Sequence, residues 1–186
     1  MKLVDNFLNI NQHSHLMHNT VYKMDFDYLL IRNNDANIAG NEFWKKPESK
    51  LDDRYYLIHM FYNIHANNRQ STFIHLVEPL LQKIGIEKER IIRIQLNYYP
   101  KTLFKQKNSW HIDYAPDKNI KCKGMIYSLN TCNGTTDLVD SNTSKLFPHK
   151  VKSIENRALF FDAFRLHRST TCTNAPFRAN IIFNWY

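Results

Sequence analysis

Residues 90–99 read RIIRIQLNYY, and five runs of similar character follow: KGMIYSLN at 123–130, TTDLVD at 135–140, HKVKSI at 149–154, RALFFDAF at 157–164 and FRANIIFNWY at 177–186. Each is short, and most are rich in β-branched and aromatic residues. Clusters of Pro, Asn, Asp and Ser separate them, which is how strands and turns divide a chain. Many short strands joined by irregular loops predict an antiparallel barrel or jelly roll. Toward the N-terminus the character changes near Gly85. In LDDRYYLIHMFYNI, residues 51–64, an acidic turn precedes Tyr56, Met60, Phe61 and Ile64, a spacing that predicts a helix. STFIHLVEPLLQKIG, residues 71–85, predicts a second one, with Ser71 and Thr72 as candidate caps, Gly85 as its stop and Pro79 as a kink or break. The expected architecture is mainly β with N-terminal α-helices. It forms one domain over 1–186: a helical support region at 1–85, packed outside one sheet, and a strand-built core at 86–186.

A chain of 186 residues that is 43% apolar can bury one core. No stretch approaches the roughly 20 apolar residues of a membrane span, and MKLVDNFLNINQHSHL lacks the apolar core and cleavage site of a signal peptide. The expected setting is cytoplasmic, with no membrane partner. Cys122, Cys132 and Cys172 show no CxxC spacing and read as reduced. The net charge of +8 would suit a polyanion, but the basic residues are scattered through Lys45-Lys46, Arg90 to Arg93, Lys101 to Lys107 and Lys118 to Lys123. A protein, peptide or small-molecule substrate is therefore preferred to nucleic acid. The oligomeric state leaves no mark in the sequence.

WHIDYA, residues 110–115, sets His111 and Asp113 two apart, so on a strand both side chains face one way and can reach one metal ion. A third ligand must come from elsewhere. His167, in FRLHRST, follows Asp113 by 167 − 113 = 54 residues. Two imidazoles and one carboxylate form the facial triad of non-haem Fe(II) oxygenases, which leaves coordination positions open. A zinc or manganese site for hydrolysis or isomerisation is the competing reading. Arg178 comes 178 − 167 = 11 residues after His167, in the run FRANIIFNWY. Its guanidinium offers a planar fork for a carboxylate; otherwise it would pair with a structural Asp or sit on a sheet edge.

From about Ile91 to Tyr186 these elements resemble the 2-oxoglutarate/Fe(II) oxygenase superfamily, in particular its prolyl-hydroxylase-like branch and small related proteins of marine bacteria and their phages. LNYYP, with Tyr99-Pro100, precedes the His-x-Asp pair. MIYSLNTCNGTTDL follows, with Asn130, Gly134, Thr135 and Thr136, and then come His167 and Arg178. The resemblance implies a double-stranded β-helix, the cupin-like jelly roll, with Fe(II) on His111, Asp113 and His167. It further implies 2-oxoglutarate as cosubstrate, its distal carboxylate on Arg178, and O2 as oxidant. The implied reaction hydroxylates a protein side chain such as proline, or a small molecule, with succinate and CO2 as coproducts. Ser128 stands where some prolyl hydroxylases carry a tyrosine, so Tyr99, Ser128 and Asn180 are all candidates for the second partner of that carboxylate.

Oxidative demethylation of nucleic acid ranks lower, because Asn184 occupies the position expected of a second arginine. A cupin-like metal-binding protein without turnover is the alternative from a different class. Trp110 and Tyr114 are candidates for the pocket wall and mouth, with plain core packing as the alternative for Trp110. KTLFKQKN (101–108) and APDKNIK (115–121) read as lids or solvated loops, and Arg165 and Arg168 as solvated or as contacts for an anionic substrate. The remaining histidines read as structural or exposed.

Overall fold

A computed structural model describes residues 1–32, 55–66, 70–113, 121–140 and 142–186, and in it all six strand-like runs contain strands. They are β4 (Ile91–Pro100), β5 (Lys123–Ser128), β6 (Thr135–Leu138), β7 (His149–Lys152), β8 (Arg157–Asp162) and β10 (Phe177–Trp185). Four more complete the set: β1 (Lys2–Val4), β2 (Leu29–Arg32), β3 (Tyr55–Asn63) and β9 (His167–Ser169). They form an antiparallel seven-stranded sheet, ordered β1-β8-β5-β10-β4-β3-β2, and a three-stranded sheet, β7-β6-β9. Single bridges from Lys107 to Thr170 and from His111 to His167 continue the smaller sheet past β9. From β5 onward the chain passes back and forth between the sheets, β6 and β7 in the small one, β8 in the large, β9 in the small and β10 in the large, the two-sheet arrangement of a jelly roll.

Side-chain alternation divides the large sheet into two chemically different faces. On central strand β10 every residue is buried. Ala179, Ile181 and Phe183 join Ile94, Leu96, Met125 and Tyr127 in the main apolar core. Helices α1 (Ile10–Asn19) and α2 (Glu78–Ile84) cover this face, adding Leu16, Met17 and Leu80. Each such side chain contributes about 1.5–3 kcal/mol by leaving water. The helices thus lie outside one sheet, although only α2 falls where the sequence predicts a helix. Asn156, at φ 58°, secures the N-terminal segment: its Oδ1 accepts from Leu8 N at 2.9 Å and from the Tyr127 hydroxyl at 2.8 Å, and its Nδ2 donates to Leu8 O.

Two helix expectations need correction. Residues 55–63, expected in a helix, form β3; 51–54 lie outside the described residues. Ile58 and Met60 pair with Asn97 and Gln95 of β4, Tyr56 stacks on Tyr99 at 5.1 Å between centroids, and a bulge at Phe61 turns that ring into the main core. Tyr56 and Met60 satisfy helical and strand spacing alike, and pairing with β4 decides between them. The second helix is shorter than expected. A 3-10 turn at Ile74–Val77 leads into α2, and Pro79 sits in the first helical turn, where its missing N–H costs nothing. Ser71 and Thr72 therefore do not cap α2, whereas Gly85, at φ 73°, does end it. The region 1–85 is not purely helical support, since β1, β2 and β3 extend the large sheet.

Candidate metal centre

The other face of β10 carries Arg178, Asn180, Ile182 and Asn184, whose register partners on β4 are Tyr99, Asn97, Gln95 and Arg93. Ser128 of β5 pairs with Asn180 from the opposite side. This face looks toward the small sheet, and its polar members are buried.

The two candidate histidine ligands meet through the backbone. His111 N donates to His167 O and His167 N to His111 O, both at 2.9 Å, so residues far apart in sequence become direct neighbours. Their ring centroids are 4.4 Å apart. In each ring Nδ1 bonds a carbonyl two residues upstream, Ser109 O at 3.0 Å for His111 and Arg165 O at 2.9 Å for His167. Those bonds fix Nδ1 as the protonated nitrogen and aim Nε2 inward. Asp113 Oδ1 lies 3.5 Å from His167 Nε2 and 3.9 Å from His111 Nε2, and the donor atoms of the three residues fall within 4.8 Å of one another. The three residues expected as ligands are thus brought together.

The burial and charge of the three groups suit a cation held among them. His167 Nε2 is buried without a hydrogen-bond partner among the described residues, a costly arrangement unless another species occupies its lone pair. Burial, then the charge of His167, pushes the His111 imidazole down to about 4. Burial alone would raise the Asp113 carboxyl, but His167, Arg93 and His111 hold it well below the usual range. Burial also opposes protonation of His167, yet Asp113 outweighs it and lifts that group above its ordinary value. A metal ion held here would bind deprotonated imidazole nitrogens, so its binding would compete with protons. Two imidazoles and a carboxylate suit Fe(II) with an open face.

Arg178 is 1% exposed. Its Nη1 donates to Thr170 O and its Nη2 to Thr136 Oγ1, both at 2.9 Å, while Nε is buried without a partner among the described residues. Tyr99 places its ring centroid 5.9 Å from the guanidinium carbon. Gly134 lets this side chain pass, since a Cβ there would lie 2.5 Å from Arg178 Cδ. Gly134→Ala is therefore expected to destabilise the fold by about 1–3 kcal/mol, the usual cost of overpacking. Denaturant melts would check it, and Arg178→Ala in the same chain should remove most of that penalty.

The other candidates divide. Tyr99, Ser128 and Asn180 share the face of Arg178 on adjacent strands, and Asn180 Oδ1 accepts from Asn97 Nδ2 at 3.3 Å. Arg168 stacks on Trp110, 4.2 Å from its ring centroid, and its Nε donates to Asp137 Oδ2 at 3.1 Å. Tyr114 and residues 115–120 lie outside the described residues. Sequence reasoning missed Arg93, which donates to Asp113 Oδ1 at 3.1 Å, and gave Asn184 no role, though it donates to Asp113 Oδ2 at 3.1 Å. The available signal was the row of polar residues Arg93, Gln95 and Asn97 at every second position of an otherwise apolar strand.

Comparison with solved structures finds this architecture elsewhere. A 2-oxoglutarate/Fe(II) oxygenase family oxidoreductase from Burkholderia pseudomallei superposes with a TM-score of 0.53 at 12% identity, covering 96% of this chain and 92% of its own. The chain has the fold of the 2-oxoglutarate/Fe(II) oxygenases. Within that oxygenase fold, the non-haem α-ketoglutarate-dependent epimerase SnoN from nogalamycin biosynthesis gives a TM-score of 0.66 at 8% identity, covering 99% of this chain and 76% of its own. A prolyl hydroxylase from Trichoplax adhaerens, solved with a hypoxia-inducible-factor peptide, gives 0.56 at 15% identity, covering 99% and 82%. No family model and no curated protein matches the sequence.

Proposed function

We propose that this protein is an Fe(II)- and 2-oxoglutarate-dependent oxygenase that hydroxylates a protein side chain or a small molecule. The observation that carries this is the His111–Asp113–His167 donor set, tied through the Asp113–Asn184 bond to the face of β10 on which a guanidinium is buried with an unsatisfied Nε. His111, Asp113 and His167 would hold the metal from one side. Arg178 would bind the distal carboxylate of 2-oxoglutarate, with Tyr99, Ser128 or Asn180 as the second partner. When bound, iron and 2-oxoglutarate supply the oxidising chemistry, using O2 and leaving succinate and CO2. The chain's own residues orient the ligands and keep water from the reacting centre.

The prolyl hydroxylase solved with a peptide supports a peptide substrate, while the epimerase shows that this fold does not dictate one outcome. Among the described residues no helix is long and apolar enough to cross a membrane. The test is anaerobic titration of Fe(II)-loaded protein with 2-oxoglutarate, read by the visible charge-transfer band of the bidentate complex. Its appearance supports the proposal; its absence in folded, iron-loaded protein overturns it. Because the charge of Asp113 raises the His167 imidazole above its ordinary value, metal loading should release protons and weaken as pH falls. Isotherms in buffers of different ionisation enthalpy, at about pH 6 and about pH 8, would check that sign.

A further inference from the structure

Arg93 is 6% exposed and reaches from β4 to β10. Its Nε and Nη2 both donate to Asn184 Oδ1, at 3.1 and 2.9 Å, and the same Nη2 donates to Asp113 Oδ1 at 3.1 Å. Asn184, the register partner of Arg93, returns a bond from its Nδ2 to Asp113 Oδ2 at 3.1 Å. Guanidinium, carboxamide and carboxylate therefore close a ring around a side chain that is 0% exposed.

We propose that Arg93 and Asn184 are a positioning pair for the Asp113 carboxylate, and that Arg93 also sets the charge of the centre. The inference rests on the metal-centre reading above. A carboxylate free to rotate can offer a metal either oxygen, or both. Here Asn184 occupies Oδ2, and Oδ1 is the oxygen turned toward the two imidazoles. Rotation would break both bonds in a buried site, so the ring selects a single donor oxygen and keeps neighbouring coordination positions open. The charge consequence is separate. Arg93 neutralises Asp113, so a divalent ion held there keeps its full double charge toward a dianionic ligand. Lysine could not do the same, because the arrangement uses two nitrogens of a planar fork.

The experiment starts from wild-type protein titrated anaerobically with Fe(II), and with Co(II) as a spectroscopic probe of ligand geometry. If wild type binds neither ion, the metal-centre reading itself fails. If wild type binds, Arg93→Met is expected to weaken metal affinity by roughly 10- to 100-fold, the usual cost of losing a partner of a metal ligand, and to change the Co(II) visible spectrum. Unchanged affinity with an unchanged spectrum would overturn the inference. The exchange R93N/N184R returns the guanidinium from the partner position and should recover most of the affinity; a folded exchange variant no better than Arg93→Met would also overturn it. Should Arg93→Met not fold, Arg93→Lys keeps the charge and loses the fork, and wild-type affinity in that variant would count against the proposal.

Discussion

His167→Ala is expected to give a folded protein whose succinate production falls by more than about a hundredfold, since even residues that merely support metal ligands are worth 10- to 100-fold. The loss follows from position. His167 supplies one of three donor atoms, and its Nε2 faces the Asp113 carboxylate at 3.5 Å, a group of the same donor set. The fold should survive, because Asp113 keeps Arg93 and Asn184, and the backbone pair with His111 does not use the imidazole. The losses include the Nδ1 bond to Arg165 O, worth about 1 kcal/mol, the approach of Nε2 to Asp113, and ring contacts with His111 and Phe161 at 4.4 and 5.0 Å between centroids. Succinate release at the wild-type rate by the folded variant would end the oxygenase assignment.

Arg178→Met is expected to raise the apparent KM for 2-oxoglutarate by roughly 10²- to 10³-fold, as truncating a buried charge-assisted pair costs about 3–5 kcal/mol. A merely structural arginine would behave differently. Burial already holds the Arg178 guanidinium below its ordinary value, and its hydrogen bonds are to neutral groups, Thr170 O and Thr136 Oγ1. Removing a desolvated cation should therefore leave the Tm of the ligand-free protein within a few degrees of wild type. The discriminating measurement is the rise in Tm on adding 2-oxoglutarate to metal-loaded protein, which mass action links to affinity. Wild type should show it, and Arg178→Met should not. An equal rise in both would assign the carboxylate to another residue.

The strands of the core were legible because Ile, Val, Phe and Tyr runs bounded by turn residues have few other uses. β3 was not, since the spacing of Tyr56 and Met60 fits a helix until β4 is placed beside it. α1 escaped notice because its buried stripe is only His13, Leu16 and Met17, although the Asn9–Gln12 capping box was readable. β9 has 3 residues, too few for periodicity to register. At the centre, His111, Asp113, His167 and Arg178 could be read from residue type and chain order. Arg93 could not, because its meaning lies in the cross-strand register that sets it against Asn184. Weighing position 184 alone for a second arginine overlooked that a neighbouring strand delivers one.

The pairing of groups at the centre also bears on how the two sheets stay closed. Asp113 is tied to β4 and β10 of the large sheet, while His111 and His167 belong to the small one. An ion shared by all three would be a clasp at one end of the sandwich. Arg178, rooted in β10 and bonded to Thr170 O and Thr136 Oγ1 next to and within the small sheet, is a second clasp at the other end. The strands so fastened, β6 and β9, have only 4 and 3 residues and little ladder of their own. Chelation should thus slow amide exchange in β6 and β9 far more than in β4 or β10, making the small sheet a reporter of occupancy.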